Sequence, residues 1–320
     1  MRAGSRPLII PALGAAGLRT QPGATRVRSA AGTIRVRTMR VYEQVVGPHT
    51  VSVTETGEGA AVVFLHAFPL SARMWDRQLA AMPAGWRAVA ADFRGLGRSA
   101  RGVPPARDVR DHAQDVWALV DALRLGPVVL AGLSMGGYVA LEAWRQRPAA
   151  VRGLVLADTR AEADTDDART KRRTMQDKAR QEGVLAVIDA MLPGMLGATT
   201  QTADPHLAVQ VRAWAAEAAP DGVVDALEAL RSRPDSRPDL GRIGCPALVI
   251  VGAEDTLTPP AAAGTIADGI AGASLVTIAG AGHLANVEQP GAFDRALHDW
   301  LARLPPAASV ASARSRRCRR

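Results

Sequence analysis

The spacing of hydrophobic and polar positions changes along the chain, and the change predicts where strands and helices lie. Apolar and polar residues alternate over 41–46 and 50–55, which is typical of two antiparallel strands. Short apolar runs follow, such as 128–131 and 247–251, and they predict strands that are buried on both faces. Between such runs the period lengthens to that of amphipathic helices, as in 109–123. Strands alternating with helices predict an α/β fold with a mostly parallel, eight-stranded sheet and helices on both faces.

The alternation is interrupted once, over residues 160–233, which contain no strand-like run. Their periodicity predicts helices separated by glycine and proline, and the charges of 164–180 are interpreted as a solvated face. We therefore expect an inserted helical lid between two core segments, 39–159 and 234–304. No apolar run approaches the roughly 18 residues of a membrane span, so no membrane association is expected.

Charge is distributed unevenly over the 320 residues. The net charge is +8, but residues 1–38 and 305–320 hold twelve arginines and no acid, so the body between them is net negative. The two ends are predicted to be disordered basic extensions, and a basic groove for nucleic acid is not indicated. Whether 1–38 belong to the native protein or contain a secretion signal stays open, as does the oligomeric state. Cys245 and Cys318 lack metal-ligand spacing, and free thiols favour a cytoplasmic location.

The segment Gly132-Leu133-Ser134-Met135-Gly136 has the pattern Gly-x-Ser-x-Gly. An apolar strand is predicted before it and a helix after it, which is the context of a nucleophile elbow. The sharp turn leaves no room for flanking side chains, and Gly132 and Gly136 supply that clearance. A serine at a helix N-terminus also lies where the helix dipole stabilises developing negative charge. Ser134 is therefore the candidate nucleophile, and the alternative is a glycine-rich turn with an idle serine.

Two further reactive side chains follow predicted strands, Asp255 and His283. The carboxyl ends of parallel strands meet at one edge of a sheet, where the sites of α/β proteins form. A serine hydroxyl needs a neighbouring base, and the base needs a carboxylate that fixes its tautomer. We therefore predict that Ser134, His283 and Asp255 form a catalytic triad. Asp158 also ends a predicted strand and is an alternative for the acid.

The residues resemble the α/β-hydrolase superfamily over most of the chain, from about residue 41 to residue 304. Five segments carry the resemblance: His66-Ala67-Phe68-Pro69, Asp92-Phe93-Arg94-Gly95-Leu96-Gly97-Arg98-Ser99, the segment around Ser134, Gly252-Ala253-Glu254-Asp255 and Gly282-His283. Within the superfamily the chain is similar to lid-bearing esterases and 3-oxoadipate enol-lactonases, whose histidine loop resembles residues 283–290.

The resemblance implies further features of the site. The backbone N–H groups of Phe68 and Met135 would form the oxyanion hole, although Ala67 stands where the family usually has glycine. His66 is interpreted as a structural brace of the oxyanion loop. A small-molecule ester or lactone is the implied substrate, and neither a metal nor an organic cofactor is expected. Lid side chains are expected to line the substrate pocket or to pack around it: Trp214, Met191 and Met195.

Hydrolysis of a carboxylic ester or lactone through an acyl-enzyme is the predicted function, with three alternatives. The first is 3-oxoadipate enol-lactonase specifically. The second is cofactor-free perhydrolase or haloperoxidase activity, because Phe68-Pro69 resembles the aromatic–proline pair of such enzymes. The third is a non-catalytic binding protein of this fold, against which the complete triad argues. Dehalogenases and epoxide hydrolases of the superfamily need an aspartate nucleophile, so Ser134 argues against both.

Overall fold

A computed structural model describes residues 26–29, 32–35, 38–99 and 104–305. The chain divides after Thr38 into two units. In the first, β1 (Arg26–Ser29) and β2 (Gly32–Arg35) pair in antiparallel register, inside the extension that we expected to lack structure. The prediction of disorder for the remainder of 1–38 and for 306–320 lies outside the described residues.

The second unit is built on a sheet of eight strands, as predicted. Its strands are β3 (Arg40–Val46), β4 (His49–Gly57), β5 (Ala60–Leu65), β6 (Trp86–Ala91), β7 (Val128–Leu133), β8 (Val151–Ala157), β9 (Ala247–Gly252) and β10 (Ser274–Ile278). Their order is β10-β9-β8-β7-β5-β6-β4-β3. All neighbours are parallel except at β4, which runs antiparallel to β3 and β6. The carboxyl ends of β7, β8, β9 and β10 therefore meet at one edge.

The burial of each strand follows its place in the sheet. Every residue of β7 and β9 is buried, as a continuous apolar run requires when helices cover both faces. The edge strands β3 and β10 alternate between more and less exposed residues, because solvent reaches one of their faces. The apolar runs thus determine which strands become central.

Helices cover both faces of the sheet, as predicted. Val63 and Leu65 of β5 join an apolar cluster with helices on one face of the sheet, whereas Val62 and Phe64 join a second cluster with helices on the opposite face. The helices outside the insertion are α1 (Asp76–Ala81), α2 (Val109–Ala122), α3 (Met135–Gln146), α9 (Arg237–Leu240), α10 (Pro260–Gly269), α11 (Ala285–Glu288) and α12 (Pro290–Arg303), and two 3₁₀ turns span Ala72–Trp75 and Pro148–Ala150. Residues 72–81 are thus divided between a 3₁₀ turn and α1.

The segment between β8 and β9 is helical, and we call residues 160–233 the helical insertion. It contains α4 (Asp166–Glu182), α5 (Val184–Met195), α6 (Ala198–Ala203), α7 (Pro205–Ala215) and α8 (Pro220–Ser232). The Thr165 side chain accepts a hydrogen bond from the Ala168 N–H and caps α4, and Gly183 ends α4 at a positive φ of 85°. In the part of the chain that the structure describes, no helix has the length and apolarity needed to cross a bilayer.

Candidate active site

Ser134 lies in the turn between β7 and α3, at the carboxyl edge of the sheet. Its φ of 55° and ψ of −114° are a conformation that residues other than glycine rarely adopt. The Ser134 N–H donates to the carbonyl oxygen of Ala157 at 2.9 Å, and the Thr159 hydroxyl donates to the Ser134 carbonyl oxygen at 2.9 Å. These bonds to the end of β8 hold the strained turn in place.

The two flanking glycines are required by close contacts between backbones. A Cβ atom on Gly132 would overlap the carbonyl oxygen of Gly136, and one on Gly136 would overlap the carbonyl oxygen of Leu65. The helix after Ser134 therefore approaches β5 and β7 more closely than any side chain allows. This explains in physical terms the glycine spacing seen in the sequence.

The structure brings Ser134, His283 and Asp255 together in one chain of hydrogen bonds. The Oγ atom of Ser134 lies 2.8 Å from Nε2 of His283, and Nδ1 of His283 lies 2.9 Å from Oδ2 of Asp255. Because Asp255 accepts, the proton of a neutral His283 ring is on Nδ1, and Nε2 is free to accept the Ser134 proton. The three side chains come from the loops after β7, β9 and β10.

The Asp255 carboxylate is buried but well satisfied. Its Oδ1 accepts the N–H groups of Leu257 and Thr258 at 2.8 and 2.9 Å, and its Oδ2 accepts the Thr258 hydroxyl at 2.6 Å. Burial acts to raise the pKa of Asp255, but the hydrogen bond and charge of His283 and the bonds from Thr258 outweigh it, and the pKa is lowered. An ionised carboxylate therefore faces the His283 ring.

Asp158, the alternative acid, lies at the end of β8 but is bonded elsewhere. It has a positive φ of 42° and is fully buried. Its two oxygens accept the N–H groups of Gly252 at 2.8 Å and Ala285 at 3.2 Å. Burial, together with the charge of Asp255, raises the pKa of Asp158 well above its usual range despite these bonds. Asp158 thus joins the end of β9 to the histidine loop and does not bond the ring.

A carboxylate that sequence reasoning missed shapes the histidine loop. Glu288 Oε1 accepts the N–H groups of Gly282 and Leu284 at 2.9 and 3.0 Å, on both sides of His283, and Oε2 accepts the Gly197 N–H at 2.8 Å. Glu288 therefore ties the loop to the helical insertion. Thr258 was missed as well, and its one sequence signal is its nearness in the chain to Asp255. Glu288 lies within residues 283–290, whose resemblance to the enol-lactonase loop is the signal that could have found it.

The residues predicted for the oxyanion hole lie beside Ser134. Met135 is the first residue of α3, where an N–H has no acceptor within the helix, and Phe68 lines the cavity above Ser134. His66 lies below that loop: its Nε2 accepts the Phe93 N–H at 2.9 Å, and its Nδ1 lies 2.9 Å from the Ala67 carbonyl oxygen. Burial lowers the pKa of His66, so the ring is neutral and braces the loop, as expected.

A cavity of about 310 Å³ opens above Ser134 and His283. Most of its other lining residues belong to the helical insertion, among them Met191. Trp214 and Met195 do not line it and are corrections: both are buried in the apolar cluster that also contains α12. Residue type had suggested all three, but the direction of each side chain from its helix decides which one reaches the cavity.

The charges of 164–180 are a second correction, because part of that stretch faces the cavity. Asp164 is 8% exposed, and Lys171 and Arg172 of α4 line the cavity with it. These positions lie on the same side of α4 as Ala168 and Met175, which also line the cavity. The face of α4 that we interpreted as solvated is therefore divided between solvent and the site.

Cys245 and His112 are not among the residues that line this cavity. Burial raises the pKa of the Cys245 thiol to about 11, and burial lowers the pKa of His112 to about 3. Across the described ranges, no three His, Cys, Asp or Glu side chains are grouped as a metal ion would need.

Comparison with known proteins gives a consistent result. A family model described as the alpha/beta hydrolase fold matches residues 60–290. The chain is 28% identical to 3-oxoadipate enol-lactonase 2 of Acinetobacter baylyi over 76% of this chain and 89% of that protein. It superposes on a thermophilic esterase from Thermogutta terrifontis with a TM-score of 0.76 and 33% identity, covering 84% and 98% of the two chains. It also superposes on the enol-lactonase from Burkholderia xenovorans LB400 with a TM-score of 0.75 and 28% identity, covering 82% of this chain and 100% of that one.

Proposed function

The chain belongs to the α/β-hydrolase family, and from that premise we propose that it cleaves a carboxylic ester or lactone through an acyl-enzyme on Ser134. One observation carries the proposal: Ser134 Oγ, the His283 ring and the Asp255 carboxylate are joined by contacts of 2.8 and 2.9 Å at the floor of a cavity. This is the arrangement that converts a weakly acidic hydroxyl into a nucleophile at neutral pH.

In the first half of the reaction the Ser134 oxygen attacks the carbonyl carbon while its proton passes to Nε2 of His283. The resulting oxyanion accepts hydrogen bonds from the N–H groups of Phe68 and Met135. The tetrahedral intermediate collapses, and His283 gives its proton to the departing alkoxide oxygen. An ester loses its alcohol at this step, whereas a lactone opens and keeps the new hydroxyl on the acyl chain.

In the second half, water attacks the acyl carbon and gives a proton to His283. That proton returns to Ser134 Oγ as the carboxylic acid leaves. Asp255 stabilises the imidazolium in both halves and fixes the ring orientation, and Thr258 holds Asp255 in the required position.

The test is turnover of p-nitrophenyl acetate by wild type and Ser134→Ala. We expect kcat to fall by roughly 10³-fold or more while the circular dichroism spectrum and thermal midpoint stay the same. Ser274→Ala, in the edge strand β10, is the matched control and should keep full activity. A folded Ser134→Ala variant with wild-type turnover would contradict the proposal.

The specific enol-lactonase reaction is a narrower form of the same proposal. Its support is the similarity to the two enol-lactonases, since nothing in the cavity encodes that ring. Equal kcat/KM values for 3-oxoadipate enol-lactone and for simple nitrophenyl esters would contradict this narrower proposal.

Perhydrolysis is a second candidate, because Phe68, the residue before Pro69, lines the cavity with Ser134. Hydrogen peroxide would replace water: its oxygen attacks the acyl carbon, its proton passes to His283, and a peracid leaves as Ser134 is restored. The peracid then oxidises bromide and is itself reduced to the acid. We expect bromide oxidation in acetate and peroxide from wild type above the level given by Ser134→Ala; equal rates would exclude it.

A further inference from the structure

The cavity above Ser134 is lined by groups of different chemistry. Besides Ser134 and His283, apolar side chains form a wall: Met175, Met191, Leu227, Leu230 and Leu257. Four cationic side chains also line it: Arg160, Lys171, Arg172 and Arg233. Among the described lining residues the one carboxylate outside the triad is Asp164. An ester or lactone hydrolase needs none of these cations for its chemistry.

Asp164 is shared between two of the cations. Its Oδ1 lies 2.5 Å from Nη1 of Arg233, and its Oδ2 lies 3.1 Å from Nε of Arg172. Burial acts to raise the pKa of Asp164, but both guanidinium groups outweigh it and the pKa is lowered, so the carboxylate is charged. One negative charge between two positive charges leaves the cavity with a surplus of positive charge.

The other two cations lack a carboxylate partner. Arg160 donates to the carbonyl oxygen of Leu257, and Lys171 forms no ion pair or hydrogen bond with any described residue. The second lysine of the chain, Lys178, lies two turns further along α4 and pairs with Glu182 at 2.9 Å. The paired lysine lies away from the cavity and the unpaired one lines it.

Arg233 adds a buried donor without an acceptor. It is 3% exposed, and its guanidinium lies 4.3 Å from the centre of the Tyr138 ring. Its Nη groups bond to Asp164 and to backbone carbonyls, but its Nε–H has no acceptor among the described residues. A buried cation with an unsatisfied donor is costly, and a bound anion would offset that cost.

We propose that these cations form a carboxylate subsite, so that the substrate is an ester or lactone bearing a second, free carboxylate. Lys171 and Arg172 bind this carboxylate from α4 while the reacting carbonyl lies at Ser134, and the apolar wall contacts the carbons between them. A volume of about 310 Å³ is at the lower limit for ligand pockets, which favours a short chain between the two groups. The proposal rests on the hydrolase function proposed above.

The kinetic test compares two esters of matched length, mono-p-nitrophenyl glutarate and p-nitrophenyl pentanoate. We expect wild type to have the higher kcat/KM for the glutarate ester, and Lys171→Gln to reduce that preference about tenfold, mainly through KM. Lys171→Glu should reduce it further. Lys178→Gln, on the same helix but outside the cavity, is the matched control and should leave the preference unchanged.

A binding test separates the subsite from catalysis. Glutarate should bind the full-length Ser134→Ala protein in calorimetry, about tenfold more weakly after Lys171→Gln is added, and 1,5-pentanediol should not bind. Ester turnover without a carboxylate preference or glutarate binding overturns the subsite and leaves the hydrolase proposal intact. A preference for the glutarate ester that stays the same in Lys171→Gln overturns the assignment of Lys171 to the subsite. Lys171-dependent glutarate binding without turnover of any ester supports the subsite and overturns the hydrolase proposal.

Discussion

The loops that follow β8 and β9 each carry a buried aspartate at the same edge of the sheet, and the two behave oppositely. Asp255 receives the His283 ring and the Thr258 hydroxyl, and its pKa is lowered. Asp158 receives two backbone N–H groups while the charge of Asp255 lies nearby, and its pKa is raised. Position at the strand end is therefore insufficient to identify the acid; the partners of each carboxylate decide its role.

The difference also assigns the two aspartates different roles: Asp255 takes part in the proposed chemistry, and Asp158 positions the loops. In the proposed mechanism, Asp255 is the anion that orients and stabilises a protonated His283. Asp158 connects β9 to Ala285, two residues after His283, without carrying the charge that catalysis uses. The two loops can therefore be tested against each other by isosteric substitutions.

Asp255→Asn should have the largest effect of the changes that compare the two loops. The amide cannot stabilise the imidazolium, and its NH₂ group favours the wrong tautomer of His283, so kcat should fall by about 10⁴-fold. Steady-state kinetics with p-nitrophenyl acetate measures it. A loss of tenfold or less in a folded protein would remove Asp255 from the assigned role.

Glu288→Ala should have the next largest effect on activity, because three N–H groups around the histidine loop lose their acceptor. A displacement of the His283 ring by about 1 Å is enough for a loss on the order of 10²-fold in kcat/KM. Glu288→Gln keeps one acceptor oxygen and should recover part of the activity. If both variants matched wild type, the loop would be held by other contacts, such as the bond from the His283 N–H to the Met195 carbonyl oxygen.

Thr258→Val tests the support of Asp255 with a smaller change. Removing a hydroxyl that donates to a carboxylate at 2.6 Å forfeits a charge-assisted hydrogen bond, so kcat should fall about tenfold. The pKa of Asp255 should rise at the same time, because the loss of a donor destabilises the anion. Thr258→Ser should restore both, and failure of that rescue would indicate that the methyl group matters instead.

Asp158→Asn should have the smallest effect on activity, within a few-fold of wild-type kcat. Because the folded-state pKa of Asp158 is raised, folded wild type holds an extra proton, and its stability falls as pH rises above about 4 toward that raised pKa. The variant lacks this decline. Urea unfolding of both proteins from pH 4 to 8 measures the difference, and wild type gaining stability relative to the variant with rising pH would show that Asp158 is ionised and stabilising.

The fold, and the three side chains that the structure joins by hydrogen bonds, could be predicted from the sequence because both depend on local patterns. Apolar runs predict the strands. Close backbone contacts require Gly132 and Gly136, each of which lies two residues from Ser134 in the sequence. Glu288 was not identified, because its partners are backbone N–H groups, which no residue type marks in the sequence. One of them, the Gly197 N–H, becomes its neighbour only when the histidine loop packs on the helical insertion.

The sequence predicted that the insertion is helical, but it did not predict which side of each helix lines the cavity. Met191 and Met195 lie one turn apart on α5, yet only Met191 lines the cavity, and α5 contains Pro193 between them. Likewise Lys171 lines the cavity whereas Lys178 pairs with Glu182. The side of each helix that faces the site depends on tertiary packing, which residue type alone does not encode.

Labelling with a fluorophosphonate, followed by mass spectrometry of the modified peptide, tests the central claim most directly. This reagent reacts with a serine only when a base activates it. Wild type and Asp158→Asn should be labelled at Ser134 with similar rates, Asp255→Asn should react far more slowly, and Ser134→Ala should not react. Labelling of another serine, or loss of labelling in Asp158→Asn with retention in Asp255→Asn, would contradict the account.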